Sequence, residues 1–197
     1  MKVIFTLLFL FIVNLFANGQ DLLGDKFEKL YHEGNYDKII SCKVKKKELT
    51  AVVCYYIGIS YCAKQRDKKA LYYLDMAIKK GPVHHDMYFF KARVLYYLGR
   101  YEESLPYFDK AILLRPNEPD FYSGKGESFY ALENIDSAIV YFEKASKFPK
   151  CKSIIYAFMG EIYQTQKKIA NAISAYKTVI KLIDQSNDRY QRCSFNL

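Results

Sequence analysis

The sequence predicts an all-α protein assembled from about five repeats, each a pair of antiparallel helices. Three observations support this fold class: small and large residues recur 34 positions apart, apolar residues inside each repeat follow helical spacing, and prolines end successive repeats. The chain has 197 residues and is 51% hydrophobic, with only 9 Gly and 5 Pro. That composition excludes disordered and collagen-like proteins.

The N-terminus has the pattern of an export signal. A positively charged start precedes an apolar run over residues 3–16, which would form roughly 21 Å of helix and so falls short of the ~30 Å core of a bilayer. Ala17 and Gly19 place small residues before a cut ahead of Gln20, as signal peptidase requires. We expect residues 1–19 to be a signal peptide cleaved after Gly19, and the mature chain to be periplasmic or secreted. The alternative is an uncleaved N-terminal anchor.

Five helical units follow in order. Residues 20–50 form a shortened first unit, since the distance to the next copy is 31 rather than 34 residues. Phe27 stands in a column that is Gly or Ala in the later units. Because the first helix has no predecessor, we expect that no neighbour requires a small residue there. The later units are 51–84, 85–118, 119–152 and 153–186, and residues 187–197 are a C-terminal tail.

Within each unit, small residues alternate with large ones on the helix faces that must meet. A small residue lets a neighbouring helix approach, and a large one fills the space beside it. In the third unit, Gly99 marks the turn between an apolar-periodic segment 87–98 and a second segment 101–114, which Pro116 ends. The predicted packing residues are Gly58, Tyr61, Ala70, Ala92, Ala111, Gly126, Ala138, Gly160 and Ala172.

This order of residues resembles the tetratricopeptide repeat (TPR), whose pattern is Trp-x2-Leu-Gly-x2-Tyr, then Ala-x3-Phe, then Pro. The second unit matches it at Ile57, Gly58, Tyr61, Ala70, Leu74 and Pro82. Trp is absent from the chain, and Lys91 and Lys125 stand where the family prefers Leu. The resemblance implies a right-handed superhelical solenoid of antiparallel helix pairs, in which the first helix of each unit lines a concave groove.

The resemblance also implies that this groove is the site for a protein or peptide partner. Aromatic and Arg side chains are common anchors of interfaces, so we expect apolar partner side chains on Tyr55, Phe89 and Tyr96. A partner carboxylate would pair with Arg93. The alternative is that these rings complete the packing between helices. The groove candidates, spaced four and then three residues apart on the first helices, are Tyr31, Tyr55, Ile59, Phe89, Arg93, Tyr96, Glu127, Tyr130, Glu161 and Gln164.

No motif in the sequence supports catalysis, a metal site or a cofactor. HExxH, GxSxG and a phosphate-binding Gly loop are all missing. We therefore expect a non-catalytic scaffold or adapter in the cell envelope, without a cofactor, a metal or a small-molecule substrate. The formal net charge of +9 reflects lysine-rich segments that we interpret as a solvated face. The alternative is weak contact with an anionic membrane surface or docking of an acidic protein. We expect no nucleic-acid binding, because nothing resembles a nucleic-acid-binding motif.

Five cysteines in an exported chain raise the question of disulfides. Cys42 should lie on the second helix of the first unit, next to the helix that holds Cys54. We therefore expect Cys42 and Cys54 to be the best candidates for an intramolecular disulfide.

The last helix should expose an apolar stripe. Val179, Ile180 and Ile183 lie beyond its packing columns, so this face is a docking site for a second copy or another subunit unless the tail covers it. The rival function is a structural subunit that forms homo-oligomers through this helix face, with no ligand in the groove.

Overall fold

The computed structural model describes residues 22–81, 86–149 and 153–194, and side chains as far as residue 184. Within these ranges the protein has ten α-helices, a short 3-10 helix at Lys46–Glu48 and no strand, which confirms the predicted all-α class. None of these helices is long and apolar enough to cross a membrane. The predicted export segment lies outside the described residues. The helices are α1 (Leu22–His32), α2 (Tyr36–Ser41), α3 (Ala51–Ala63), α4 (Asp67–Lys80), α5 (Met87–Tyr97), α6 (Tyr101–Leu114), α7 (Pro119–Ala131), α8 (Ile135–Ser146), α9 (Ser153–Thr165) and α10 (Ile169–Ser194).

A residue in the left-handed conformation ends the first helix of every pair. At the last of these turns, Lys167 N donates to Gln164 O at 3.0 Å and Lys168 N donates to Tyr163 O at 2.8 Å, the two hydrogen bonds of a Schellman motif. The left-handed residues are Gly34, Gln65, Gly99, Glu133 and Lys167, with φ between 54° and 74°. Their separations of 31, 34, 34 and 34 residues reproduce the sequence repeat in the backbone.

Contacts divide the chain into two compact units, Met1–Gly99 and Arg100–Leu197. The boundary falls between α5 and α6, inside the predicted repeat 85–118. In a repeat array each helix contacts mainly its neighbours in sequence, so a division into compact units need not follow the repeat boundaries.

In the first compact unit, α3 lies at the centre. It packs against α1, α2, α4 and α5, and its sequence contains no charged residue. Phe27, Val53, Leu74 and Met87 join α1, α3, α4 and α5 in one apolar core. Gly58 allows the close approach of α3 to α4, because a Cβ at this position would lie 2.9 Å from Leu74 Cγ.

The first repeat is shortened in its second helix. Helix α2 has 6 residues whereas α4 has 14. The position 31 residues before Leu74 is Lys43, which lies after the end of α2. Gly58 faces Leu74 of its own helix pair, and the first pair has no helical residue at the position equivalent to Leu74. Phe27, which is equivalent to Gly58, is fully buried in the core of the first compact unit.

In the second compact unit, α7 packs against α6 and α8, and α9 packs against α8 and α10. Glycines of the first helices again face rings of the second helices. A Cβ at Gly126 would lie 2.9 Å from the Phe142 ring, and one at Gly160 would lie 2.6 Å from the Tyr176 ring. All nine predicted packing residues, in both compact units, are buried.

Helix α10 is twice as long as its partner. It has 26 residues and α9 has 13, and it continues to Ser194, past the predicted end of the last repeat at residue 186. Most of the predicted C-terminal tail is therefore a continuation of this helix.

The predicted disulfide is not formed, because Cys42 and Cys54 are free cysteines. Cys54 is buried on α3, whereas Cys42 follows the end of the short α2 in extended backbone. The prediction placed Cys42 on a helix that ends one residue earlier. Burial raises the pKa of the Cys54 thiol, so this side chain behaves as a small apolar core group. Within the described ranges, no group of three His, Cys, Asp or Glu side chains is placed to hold a metal ion.

Candidate partner-binding surfaces

Two of the predicted groove residues lie in the core. Tyr55 and Ile59 on α3 are only 3% and 2% exposed. The Tyr55 ring contacts Tyr56 and Phe90 edge to face, with centroids 5.2 and 6.1 Å apart, and burial raises its pKa. Tyr55 and Ile59 are therefore packing residues, and not the partner-contacting residues that the sequence predicted. The available sequence signal was the apolar character of α3 on all sides, which is typical of a buried helix.

The half-buried residues Phe89, Arg93 and Tyr96 lie on α5. The Arg93 guanidinium lies over two rings, with Cζ 5.5 Å from the centroid of Tyr96 and 4.8 Å from that of Tyr97. Its Nη2 also donates a hydrogen bond to the Tyr97 hydroxyl. These contacts hold the guanidinium in a defined position. We call Phe89, Arg93, Tyr96 and Tyr97 the first-unit face.

Tyr97 is the residue of this face that sequence analysis missed. It is 59% exposed and follows Arg93 by four residues, a spacing that brings two side chains together on a helix. That spacing was the available signal.

Tyr31 belongs to a cluster of tyrosines from α1, α2 and α3. Its ring centroid lies 5.2 Å from that of Tyr36 and 6.0 Å from that of Tyr56. Burial, followed by the proximity of Tyr36, raises the pKa of Tyr31. Like an ordinary tyrosine hydroxyl, that of Tyr31 is protonated at neutral pH and can donate a hydrogen bond.

The remaining candidates lie on α7 and α9 in the second compact unit. A hydrogen bond with Glu161, more than burial, raises the pKa of Tyr130. Gln164 Oε1 accepts a hydrogen bond from the Tyr176 hydroxyl at 3.2 Å. We call Glu127, Tyr130, Glu161 and Gln164 the second-unit stripe. Because its charged members are both carboxylates, the stripe favours a basic partner segment.

The two lysines that depart from the TPR pattern are each paired with an aspartate of the preceding helix. Lys91 Nζ lies 2.5 Å from Asp75 Oδ1, and Lys125 Nζ pairs with Asp109 Oδ1. The lysines are 34 residues apart and so are the aspartates, a signal that sequence analysis missed. The Lys125 ammonium also lies 4.6 Å from the ring centroid of Tyr141. Each lysine stem thus packs where Leu would pack, while the charge is neutralised.

Helix α10 presents an apolar stripe to solvent. Its members are between 38% and 60% exposed and are spaced by four, three, four and three residues, as in a coiled-coil seam. Val179, which the sequence analysis placed on this stripe, is half-buried. We call Ile169, Ile173, Tyr176, Ile180 and Ile183 the α10 stripe.

Comparisons with known proteins identify the repeat. Tetratricopeptide repeat profiles match residues 89–150 and residues 154–185. Among solved structures, MamA (41-end) from Desulfovibrio magneticus RS-1 is similar with a TM-score of 0.73 at 16% identity, over 84% of this chain and 96% of that chain. YrrB, described as a TPR protein with an unusual peptide-binding site, has a TM-score of 0.65 at 19% identity, over 87% of this chain and 91% of its own. A search of curated protein sequences gives no match.

The structural likenesses, at this level of identity, concern the fold, which is an all-α, TPR-like helical solenoid. The profile matches begin in α5 and extend into α10. The recurring turns, the glycines that face large side chains and these matches agree, and they show that residues 89–150 and 154–185 of the chain are tetratricopeptide repeats.

Proposed function

We propose that this chain is a non-catalytic scaffold or adapter of the cell envelope that binds a protein or peptide segment on its first helices. Repeat solenoids offer extended surfaces to partners, and the description of YrrB as having a peptide-binding site is consistent with such a use. The observation that supports the proposal most strongly is the position of Arg93 over Tyr96 and Tyr97 on a half-buried surface.

The first-unit face combines flat aromatic area with an oriented guanidinium. A partner carboxylate can form two parallel hydrogen bonds with such a group, while an apolar side chain packs on Phe89 or Tyr96. Because the rings already restrict Arg93, binding costs little additional side-chain entropy. The second-unit stripe has the opposite preference, since Glu127 and Glu161 attract basic side chains. We therefore propose a partner with both an acidic, apolar segment and a basic one.

Site-specific photo-crosslinking tests this proposal. Benzoylphenylalanine at position 96 replaces one ring by another, and the same residue at position 72 is the matched control, because Tyr72 is 60% exposed on the second helix α4. We expect envelope proteins to be cross-linked from position 96 and not from position 72. Arg93→Ala should remove these products while the helical circular dichroism spectrum stays unchanged. Equal cross-linking from both positions, or products that survive Arg93→Ala, would contradict the proposal.

The envelope location rests on the sequence of residues 1–19. N-terminal sequencing of the protein isolated from its native cells tests it. A chain that begins at Gln20 in an envelope or extracellular fraction supports export, whereas an intact Met1 in the cytosolic fraction would refute it.

A second candidate function is a structural subunit that associates with its own copy through α10. The observation that favours it is the coiled-coil spacing of the α10 stripe. Ile180→Asp should then convert an oligomer into a monomer in light-scattering measurements of molar mass. Leu113→Asp is the control, because Leu113 is 82% exposed on α6 and outside the stripe. An equal mass for the wild type and both variants would exclude this function.

A further inference from the structure

A cavity of about 360 Å³ opens in the second compact unit, between the second helices α6 and α8. One wall is aromatic, since the Tyr122 and Phe148 rings are stacked with centroids 5.7 Å apart and planes inclined by 25°. The Tyr122 hydroxyl donates to the carbonyl of Pro116 at 2.8 Å, which orients this ring. Ile112 and Tyr141 complete the apolar lining. Ligand pockets range over roughly 300–1,000 Å³, so this one suits a group the size of a single residue.

The rim of the cavity is cationic. Lys144 and Lys147 line it and are exposed, and Lys144 Nζ lies 4.7 Å from the ring centroid of Tyr141. Asp109 is the carboxylate among the lining residues, and it is paired with Lys125. Within the described part of the chain, Lys144 and Lys147 have no carboxylate partner. Three lysines against one aspartate leave a local net charge of +2.

The combination of an apolar cavity and two lysines on its rim favours one kind of ligand. An uncharged apolar group would leave the lysines without a counter-charge, and a simple anion would not use the aromatic walls. The C-terminal residue of a peptide carries an apolar side chain and a carboxylate on the same Cα atom. In an internal Asp or Glu, by contrast, the carboxylate and the nearest apolar side chain belong to different residues.

We infer that this cavity binds the C-terminal residue of a partner peptide, with its apolar side chain between α6 and α8 and its α-carboxylate between Lys144 and Lys147. The site uses none of the residues of the first-unit face, so it does not depend on the proposed function of that face. Small apolar carboxylic acids also combine an apolar group with a carboxylate, and the experiment distinguishes them from the C-terminus of a peptide.

Fluorescence anisotropy of the full chain with labelled hexapeptides tests the inference. The peptides end in Phe, Leu or Tyr, each with a free C-terminal carboxylate or with a C-terminal amide. We expect at least one free acid to bind and its amide to bind about tenfold more weakly or worse, as the loss of a charge-assisted contact implies. Equal binding of acid and amide, or no binding by any of the peptides, would overturn the assignment. N-acetylphenylalanine that competes as tightly as the peptide would assign the cavity to a small acid instead.

Variants locate the binding on the molecule. Lys144→Ala with Lys147→Ala should weaken the free acid about tenfold and leave the weak binding of the amide unchanged. Lys177→Ala is the control, because Lys177 is an exposed lysine of α10. Arg93→Ala should also leave the binding intact. If Arg93→Ala abolishes it and the double lysine variant does not, the peptide binds the first-unit face and the cavity assignment is wrong.

Discussion

Removing Asp109 alone from the Lys125–Asp109 ion pair should cost more stability than removing both partners, because the buried member of the pair is the lysine. In Asp109→Ala, the Lys125 ammonium stays in a site where its side chain is only 7% exposed. Lys125→Leu restores the residue that the TPR pattern prefers and leaves Asp109, whose side chain is 58% exposed, to be hydrated. Burial lowers the pKa of Lys125, but hydrogen bonds with Asp109 and Tyr141 outweigh that effect and raise it above its ordinary value. The wild-type ammonium is therefore charged at neutral pH.

The exposure of the two partners sets the expected magnitude. Deleting one partner of a fully buried ion pair costs about 3–5 kcal/mol. The loss here should be smaller, because solvent screens the half-exposed Asp109 and because the contact of Lys125 with Tyr141 is retained. We expect Asp109→Ala to lower the free energy of unfolding by about 1–2 kcal/mol. Lys125→Leu should change it by less than ~0.5 kcal/mol or increase it slightly, since an apolar residue replaces a buried charge.

Urea unfolding followed by circular dichroism at neutral pH measures these differences. The double variant, Asp109→Ala with Lys125→Leu, should match Lys125→Leu alone, because the carboxylate has nothing to neutralise once the lysine is gone. Asp75→Ala repeats the test on Lys91, which is also largely buried. A larger loss in Lys125→Leu than in Asp109→Ala would refute the reasoning, since it would mean that the charge itself stabilises the fold.

Three further predictions concern packing, turn geometry and thiol burial. Gly124→Ala should lower the free energy of unfolding by about 1–2 kcal/mol, because the new Cβ would lie 2.5 Å from the buried ring of Phe108. Gly160→Ala should be near neutral, because Gly160 faces the partly exposed ring of Tyr176. Glu133→Gly should raise the free energy of unfolding by about 1 kcal/mol, since a φ of 59° is unfavourable for a residue with a Cβ. A lower free energy of unfolding for this variant in urea would contradict the prediction. Burial raises the pKa of Cys62 from 9.0 to about 12, so the unfolded thiol ionises first and stability should fall as the pH rises from 9 to about 12. Cys62→Ala should flatten that fall in urea midpoints measured across the range, and an unchanged slope would show that the thiol is not responsible.

The sequence periodicity predicts the helix pairs because it records contacts between neighbours. Gly58 and Gly126 recur where a second helix approaches, and the turns at Gln65 and Glu133 recur with the same spacing although neither is glycine. The lengths of α2 and α10 do not follow from the period. Helix α2 ends before Cys42, whereas its counterpart α4 continues to Lys80, and α10 continues to Ser194. The period identifies equivalent positions, but it does not determine where each helix ends.

The predicted groove residues also show what helical spacing can and cannot determine. Tyr55 and Ile59 have the same helical spacing as Phe89 and Arg93, yet the first two are buried and the other two are half-buried. Helical spacing determines which side chains share a face of one helix. It does not determine how closely other helices cover that face, and α3 has four helix neighbours.

By itself, the sequence determined the all-α class, the length of the repeat and the positions that must be small or large, because these properties depend on residues a few turns apart. The tertiary structure alone decided that Cys42 and Cys54 are free and that aromatic rings and lysines line a cavity between α6 and α8. Those outcomes depend on distances between side chains of different helices, which follow from how the helices pack and not from the period of the sequence.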